Sequence, residues 1–304
     1  MTLQGKLTLD RAVLIPADKE SLRALKELKN ASCVVPLDEA LGTDILPFKM
    51  SPGLMVECAF WALNQKSYQA AEETLERVRH IRVNDDTMRM VVNHIGKLVF
   101  DEDCKHVDET MEKLRKCELK FPRNRKGTLY IEVDGAALNT RHKNNEGSTW
   151  RENKLGLIFS SDNIKYKRNE NTNELRHEIK KKEFVTYLGG VDEFKRHLFH
   201  CAVKNGYGQY ENTVFISDGA AWIANMVSEL FGDATHILDL FHLKENIYSY
   251  AKEKFNYNEK KYVGWAEHLI KLIVDGKSSK VLEILKDEKP IEDRKCVNLR
   301  HYLN

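Results

Sequence analysis

Several things are scarce or missing in this chain. No run of about 18 or more apolar residues occurs, so nothing predicts a membrane span. Residues 1–11 lack a charged head leading into an apolar stretch and a small-residue cleavage site, so no secretory signal is expected. Six cysteines (Cys33, Cys58, Cys104, Cys117, Cys201 and Cys296) are scattered and form no CxxC pair, as expected of reduced thiols in a cytoplasm. Neither sign of charge dominates: 48 Lys and Arg face 46 Asp and Glu, for a net charge of +2. No GxSxG, P-loop or Rossmann glycine pattern is present, which removes the commonest nucleophile and nucleotide signatures. Internal repeats and low-complexity tracts are absent too. What remains is a globular composition, 42% hydrophobic and 31% charged, in 304 residues, enough for a large core and about two domains.

Charge is uneven despite the balance. Residues 113–126 hold Lys113, Arg115, Lys116, Lys120, Arg123, Arg125 and Lys126 against Glu118 alone. Arg141, Lys143, Arg151, Lys154, Lys165, Lys167 and Arg168 follow. Such a surface attracts phosphates, although charge alone is equally that of a solvated linker.

The first 120 residues read as helical. Leu22, Leu25 and Leu28 share a helical spacing, and Pro36, Pro47 and Pro52 then punctuate the chain. Leu54, Cys58, Trp61 and Ala62 predict one buried helical face. Ser67 caps a second helix with Ala70, Ala71, Leu75 and Val78 inward, and Asn84 or Asp85 a third with Met88, Val91, Val92, Ile95 and Leu98 inward. Two short helices and a longer one make a helix-turn-helix outline. After Phe121-Pro122 the pattern changes to strands at 128–133, 155–160 and 184–188, a helix at 191–204, a strand at 213–217, a helix at 220–231, a strand at 234–241 and a helix from Leu243. The order β-β-β-α-β-α-β-α predicts a mixed α/β sheet, an antiparallel meander extended by parallel crossovers. From Asn258 the chain reads helical again, through Trp265, Leu269, Leu272, Val281, Leu282 and Leu285, until Pro290. The expected organisation is therefore 1–120 helical, 121–256 sheet-based and 257–304 helical.

Two strands end alike, in Asp134-Gly135-Ala136 and Asp218-Gly219-Ala220. Carboxyl ends of strands are where α/β sheets gather their sites. Two facing carboxylates repel and call for a cation, and hard oxygens suit Mg²⁺ with its waters and substrate phosphates. Asp-Gly is also ordinary turn chemistry; it is the repetition that carries weight. Asp239 and His242 flank the end of the last apolar run, as a functional pair or as a helix cap with a satisfied histidine. Glu132 shares a strand face with Asp134 and is expected to pair with a nearby Lys or Arg, or to stand behind the aspartate as an accessory acid. Trp222 is expected to pack its helix on the sheet, with stacking on a base as the other role. His197, His200 and Cys201 cluster on one helix, but no second ligand group has matching spacing, so zinc is not expected.

The segments Tyr130–Ala136, Ser217-Asp218-Gly219-Ala220-Ala221-Trp222-Ile223 and Ile237–Glu245 resemble bacterial insertion-sequence transposases of the ISLre group, within the Mutator-like class of DDE enzymes. Residues Pro36-Leu37-Asp38-Glu39 and Ser51-Pro52-Gly53-Leu54 are similar to that group's DNA-binding region. The resemblance implies an RNase H-like fold and two Mg²⁺ (or Mn²⁺) ions. It makes Asp134 and Asp218 the first two metal-binding catalytic acids, with Asp239 and His242 as an accessory D-x-x-H element. It also implies double-stranded DNA partners (terminal inverted repeats and target), phosphate contacts from Arg123, Arg125, Lys126, Arg141, Lys143, Arg151 and Lys154, and a homo-oligomer on paired ends. The third acid of the class follows an all-helical insertion in a Gly-Ser-Gly-like context. No such context occurs before Asn304, and Glu245, Glu253 and Glu267 fit poorly, so the chain reads as stopping inside the insertion. An incomplete insertion would leave Trp265, Leu269, Ile270 and Leu272 exposed. The alternative function is a non-catalytic DNA-binding regulator of transposition.

Overall fold

The structure, a computed structural model, describes residues 12–29, 33–42, 47–141, 143, 147–169, 175–286, 288 and 296–303. The expectations placed on residues 1–11, on the Leu28 side chain and on Pro290 lie outside what is described. Two compact units follow one another, Met1–Lys105 and His106–Asn304.

The first unit is helical: α1 (Lys19–Lys29), α2 (Pro36–Leu41), α3 (Pro52–Asn64), α4 (Tyr68–Arg79) and the first part of α5 (Asp85–Arg115). Ser51 and Ser67 cap α3 and α4, their hydroxyls accepting from Leu54 N (3.3 Å) and Ala70 N (3.1 Å). Leu54, Cys58, Ala71, Leu75, Ile81, Val83, Met88 and Val91 form its core. Burial pushes the Cys58 thiol up to about 11, which keeps it unreactive. Two expected core residues lie outside. Val78 is 51% exposed, because α4 ends one turn after Leu75 in the left-handed His80; Leu98 is 57% exposed, past the stretch of α5 that contributes to this core.

The second unit is built on a sheet. Its strands are β1 (Arg125–Asn139), β2 (Trp150–Ser160), β3 (Ile164–Arg168), β4 (Leu175–Ile179), β5 (Glu183–Leu188), β6 (Tyr210–Ser217) and β7 (Thr235–Leu238). Five of them form one sheet in the order β5-β2-β1-β6-β7. β1, β2 and β5 pair antiparallel, while β6 and β7 add parallel to β1. This is the RNase H-like arrangement. Between β2 and β5 the chain makes a separate two-stranded ribbon, β3–β4, which the sequence reading does not anticipate.

Helices α6 (Val191–Lys204) and α7 (Ala221–Leu230) cover one sheet face. Leu129, Ile131, Val133, Ile158 and Phe215 meet Phe194, Leu198, Ala202, Ile223 and Met226 there. Each of the larger of these side chains contributes roughly 1.5–3 kcal/mol when fully buried. At Gly156 on β2 a Cβ would stand 2.5 Å from Leu198 Cδ1, so the absence of a side chain is what lets α6 come this close. The other face carries Leu155 (37% exposed), Phe184 (58%) and Ile237 (42%).

Helices α8 (Leu240–Lys254), α9 (Glu259–Val274), α10 (Ser278–Ile284) and α11 (Leu299–Leu303) complete the unit. They have a core of their own, with Leu243, Ile247, Ala266, Leu269, Val281, Leu285 and Leu299 buried. The expected exposure of Trp265, Leu269, Ile270 and Leu272 is therefore corrected: Leu269 is fully buried and the other three pack against the cluster, because α8, α10 and α11 close over α9. Among the described residues, no helix is long and apolar enough to cross a membrane.

Candidate active site at the carboxyl edge of the sheet

Three aspartates stand at one level. Val133 on β1 pairs in parallel with Ser217 on β6, and Ser217 pairs with Leu238 on β7. The next residues along the three neighbouring strands are Asp134, Asp218 and Asp239. Paired residues in parallel strands point to the same face, and Asp134 continues the Glu132 side of β1, the face without α6 and α7. The expected last strand was too long. β7 ends at Leu238, and Asp239 begins α8, its Oδ1 accepting from Phe241 N at 3.1 Å. Asp239 is thus a helix cap as well as a site carboxylate. Phe241 and His242 belong to the first helical turn and not to the strand, since Asp239 supplies the cap that starts α8 there.

A cleft of about 250 Å³ opens on this edge. Glu132, Asp134, Asp239, His242, Leu155 and Phe184 are among its lining residues. His242 Nδ1 lies 2.7 Å from Asp239 Oδ2, and its Nε2 lies 3.8 Å from Asp134 Oδ1. The first contact is a hydrogen bond; the second is too long for one and leaves room in between. With Nδ1–H donating to Asp239, the Nε2 lone pair faces Asp134. Asp134 is half-exposed and accepts from Gly135 N at 2.7 Å. Glu132 is half-buried, and its carboxyl is raised, first by burial and then by the negative charge of Asp239, against the opposing pull of Lys182.

Asp218 sits in the row but does not line the cleft. Its Oδ1 accepts from Ala220 N at 3.0 Å, an Asx-type turn into α7. Its backbone is fixed from below. The Ser217 hydroxyl donates to Asp218 O at 2.8 Å and lies 2.8 Å from His236 Nε2. A hydroxyl has one proton, so His236 Nε2–H must be the donor in the second bond. Burial lowers the His236 pKa, which favours the neutral ring. Above the turn lies α11: a Cβ at Gly219 would come 2.6 Å from Tyr302 Cε2. Burial raises the Tyr302 phenol, and the charges of Asp218 and Asp239 add to it. The sequence offered no signal for this lid over the second aspartate.

The remaining expected site residues divide. Trp222 is half-buried, edge-on to Phe194 and 5.4 Å beneath the Lys154 ammonium, so it packs α7 on the sheet. Lys154 is 4% exposed and bound to Glu152 (2.8 Å) and Gly189 O (2.9 Å). The expected phosphate contact from Lys154 is thereby corrected: its ammonium is buried and already coordinated. Arg141 and Lys143 are exposed and Arg151 half-buried, all beyond the acid row in the β1–β2 turn region. Arg123 (paired with Asp233 at 2.7 Å), Arg125 (over the Tyr210 ring) and Lys126 lie at or just before the start of β1, toward the opposite edge. His197 stacks on Tyr187, and His200 Nδ1 meets Thr110 Oγ1 at 2.7 Å; both serve packing.

Residues 26–293 match UPF0236, described as an uncharacterised protein family. The chain belongs to UPF0236. No curated protein matches it. Among solved structures, this UPF0236 chain is similar to the Drosophila P element transposase strand transfer complex, at 8% identity and a TM-score of 0.32. That match covers 94% of this chain and 68% of the other, a likeness too loose to bear on the site.

Proposed function

We propose that this UPF0236 chain is a transposase of the bacterial insertion-sequence kind, of the ISLre group, that cuts and rejoins DNA strands at the Asp134–Asp218 edge with Mg²⁺ or Mn²⁺. The observation that carries this reading is the single row of Asp134, Asp218 and Asp239 at one level across three adjacent parallel strands. Adjacent strands lie about 4.8 Å apart, a spacing at which neighbouring carboxylates repel unless a cation sits with them.

The donor chemistry fits a hard cation. Asp134 and Asp218 offer only carboxylate oxygens, the Asp134 side chain is open to solvent, and Mg²⁺ is commonly held by one or two carboxylates plus waters and phosphate oxygens. Among the described residues, no three His, Cys, Asp or Glu side chains are already arranged around an ion position. Asp134 and Asp218 would hold the ions, with Asp239 behind them. When bound, such ions activate the attacking oxygen and stabilise the leaving one. The chain's own residues do the rest. Asp239 orients His242, whose Nε2 is placed to take a proton beside Asp134. Glu132, with its raised carboxyl, holds a proton more readily than an ordinary glutamate. Leu155, Leu157 and Phe184 line the same cleft and limit water there. We further propose that a third carboxylate reaches this row on a helix lying against the exposed Phe184–Leu155–Ile237 face. The partners are terminal-repeat and target duplexes, with the chain acting as a homo-oligomer on paired ends.

The test is a titration of Mg²⁺ and Mn²⁺ into the purified chain with labelled element-end DNA, beside Asp134→Ala. The expected result is nicking that chelation abolishes and that falls at least about a hundredfold in the variant. Equal, metal-independent cleavage by both proteins overturns the proposal. Binding without nicking by either favours the regulator reading.

A further inference from the structure

The β3–β4 ribbon has no part in the acid edge, and its registry is unusual. Lys165 pairs with Glu178, Tyr166 with His177 and Lys167 with Arg176. Alternation puts Lys165, Lys167 and Arg176 on one face and Tyr166 and His177, in edge contact at 4.8 Å, on the other. Like charges directly opposite each other destabilise a strand pair, and a two-stranded ribbon is marginal to begin with. A ribbon that keeps Lys167 opposite Arg176 is one that an anion would stabilise. Glu178 answers only part of this charge, at 3.5 Å from Lys167 and 2.6 Å from Lys180.

The base of the ribbon continues the pattern. Lys180 N donates to Asn163 O at 2.8 Å and closes it. Beside that closure is a polar cavity of about 140 Å³ lined by Arg125, Lys181, Lys182 and Lys204 together with Asn163 and Asn205. Glu183, 3.6 Å from Lys204, is the carboxylate paired with one of its cations. Residues 163–182 contain seven Lys and Arg against three Glu, a larger excess than the +2 of the whole chain. Charge that nearly cancels over the molecule is thus concentrated here, on a narrow two-stranded projection of the kind a DNA groove admits.

We propose that the β3–β4 ribbon and the cavity at its base form a duplex-DNA-binding arm, gripping phosphates on the sheet edge opposite the aspartate row. This rests on the transposase reading and adds where the duplex is held. Arg125 precedes Asp134 by nine residues of β1, about 30 Å of strand, the length of roughly nine base pairs. Screening at physiological salt acts over about 8 Å, so Arg125 does not serve Asp134; Lys182, whose charge reaches Glu132, is the cavity cation nearest the acid cleft.

The test is duplex binding by the full chain, without metal, across a series of NaCl concentrations. Lys165→Ala/Lys167→Ala/Arg176→Ala is compared with the parent on a duplex of about 40 base pairs, and far-UV circular dichroism confirms folding. The expected result is a Kd at least about tenfold weaker and a slope of log K against log salt smaller by about 2–3, near 0.9 for each phosphate no longer neutralised. The single exposed variant Lys167→Gln should lower the slope by about 1. Unchanged slope and Kd in the triple variant, with the parent binding well, overturn the arm and leave the transposase reading standing. A parent that binds no duplex overturns both. Tighter binding of double-stranded RNA than of DNA overturns the DNA arm.

Discussion

Glu132 is the residue whose protonation most directly reports on the acid edge. Burial and the neighbouring Asp239 raise its carboxyl above the ordinary 4.5. The folded protein therefore binds this proton more tightly than the unfolded chain does. The associated stability is present below the ordinary value and is lost as pH rises through the raised folded value. Glu132→Gln should accordingly melt above the parent at pH 7, with the gap closing near pH 4. Scanning fluorimetry across pH checks this; a variant less stable than the parent at pH 7 would show Glu132 to be compensated by Lys182. At the same scale, the identities of Asp134 and Asp218 were legible because each closes an apolar run and precedes glycine, although β1 itself continues through Asp134 to Asn139. The direction of the Asp218 side chain, turned to Ala220 N, was not, since it depends on how α7 starts.

At the element scale, α11 over the Gly219 turn is the feature with the clearest consequence. Tyr302 occupies the space that a Cβ at position 219 would need. Gly219→Ala should push α11 off the turn and cost about 1–3 kcal/mol, as overpacking does. Tyr302→Ala should relieve most of that cost, so the two changes are non-additive in a double-mutant cycle read by denaturant unfolding. Additive losses would mean that the ring and the turn do not press on each other. The sequence reading located α6, α7 and the five sheet strands from their hydrophobic periods, but it stopped β1 at Val133 and began β2 at Leu155, where the exposed ends of the pair run on to Asn139 and back to Trp150. It overran β7 by three residues, because Asp239–His242 continues an apolar run while its carboxylate starts a helix. It missed β3 and β4 altogether: their exposed, charge-rich alternation buries little and leaves no hydrophobic pattern to read.

At the scale of the molecule, two units carry separate hydrophobic cores, one around Leu75 and Met88 and one around Phe215 and Phe194. Separate cores unfold as separate cooperative units when little else couples them. Leu75→Ala, which empties a fully buried site, should destabilise by about 2–5 kcal/mol. That loss should appear in the transition of the helical unit, with the sheet unit's transition unmoved in hydrogen exchange or denaturant melts. A single transition that shifts as a whole would show the units to be thermodynamically coupled.

The sequence by itself determined the helical first unit, the mixed sheet and the order of its elements along the chain, and the two Asp-Gly motifs. Each of these rests on local periodicity and turn chemistry, which a chain carries residue by residue. Tertiary structure alone decided that Asp134, Asp218 and Asp239 stand in one row, because the parallel register among β1, β6 and β7 joins segments about 80 and 20 residues apart. It also decided that Lys154 is buried, that His242 bridges from Asp239 toward Asp134, and that Lys167 faces Arg176. Pairing across long separations is set by how helices and strands pack, and no local pattern in the sequence records it.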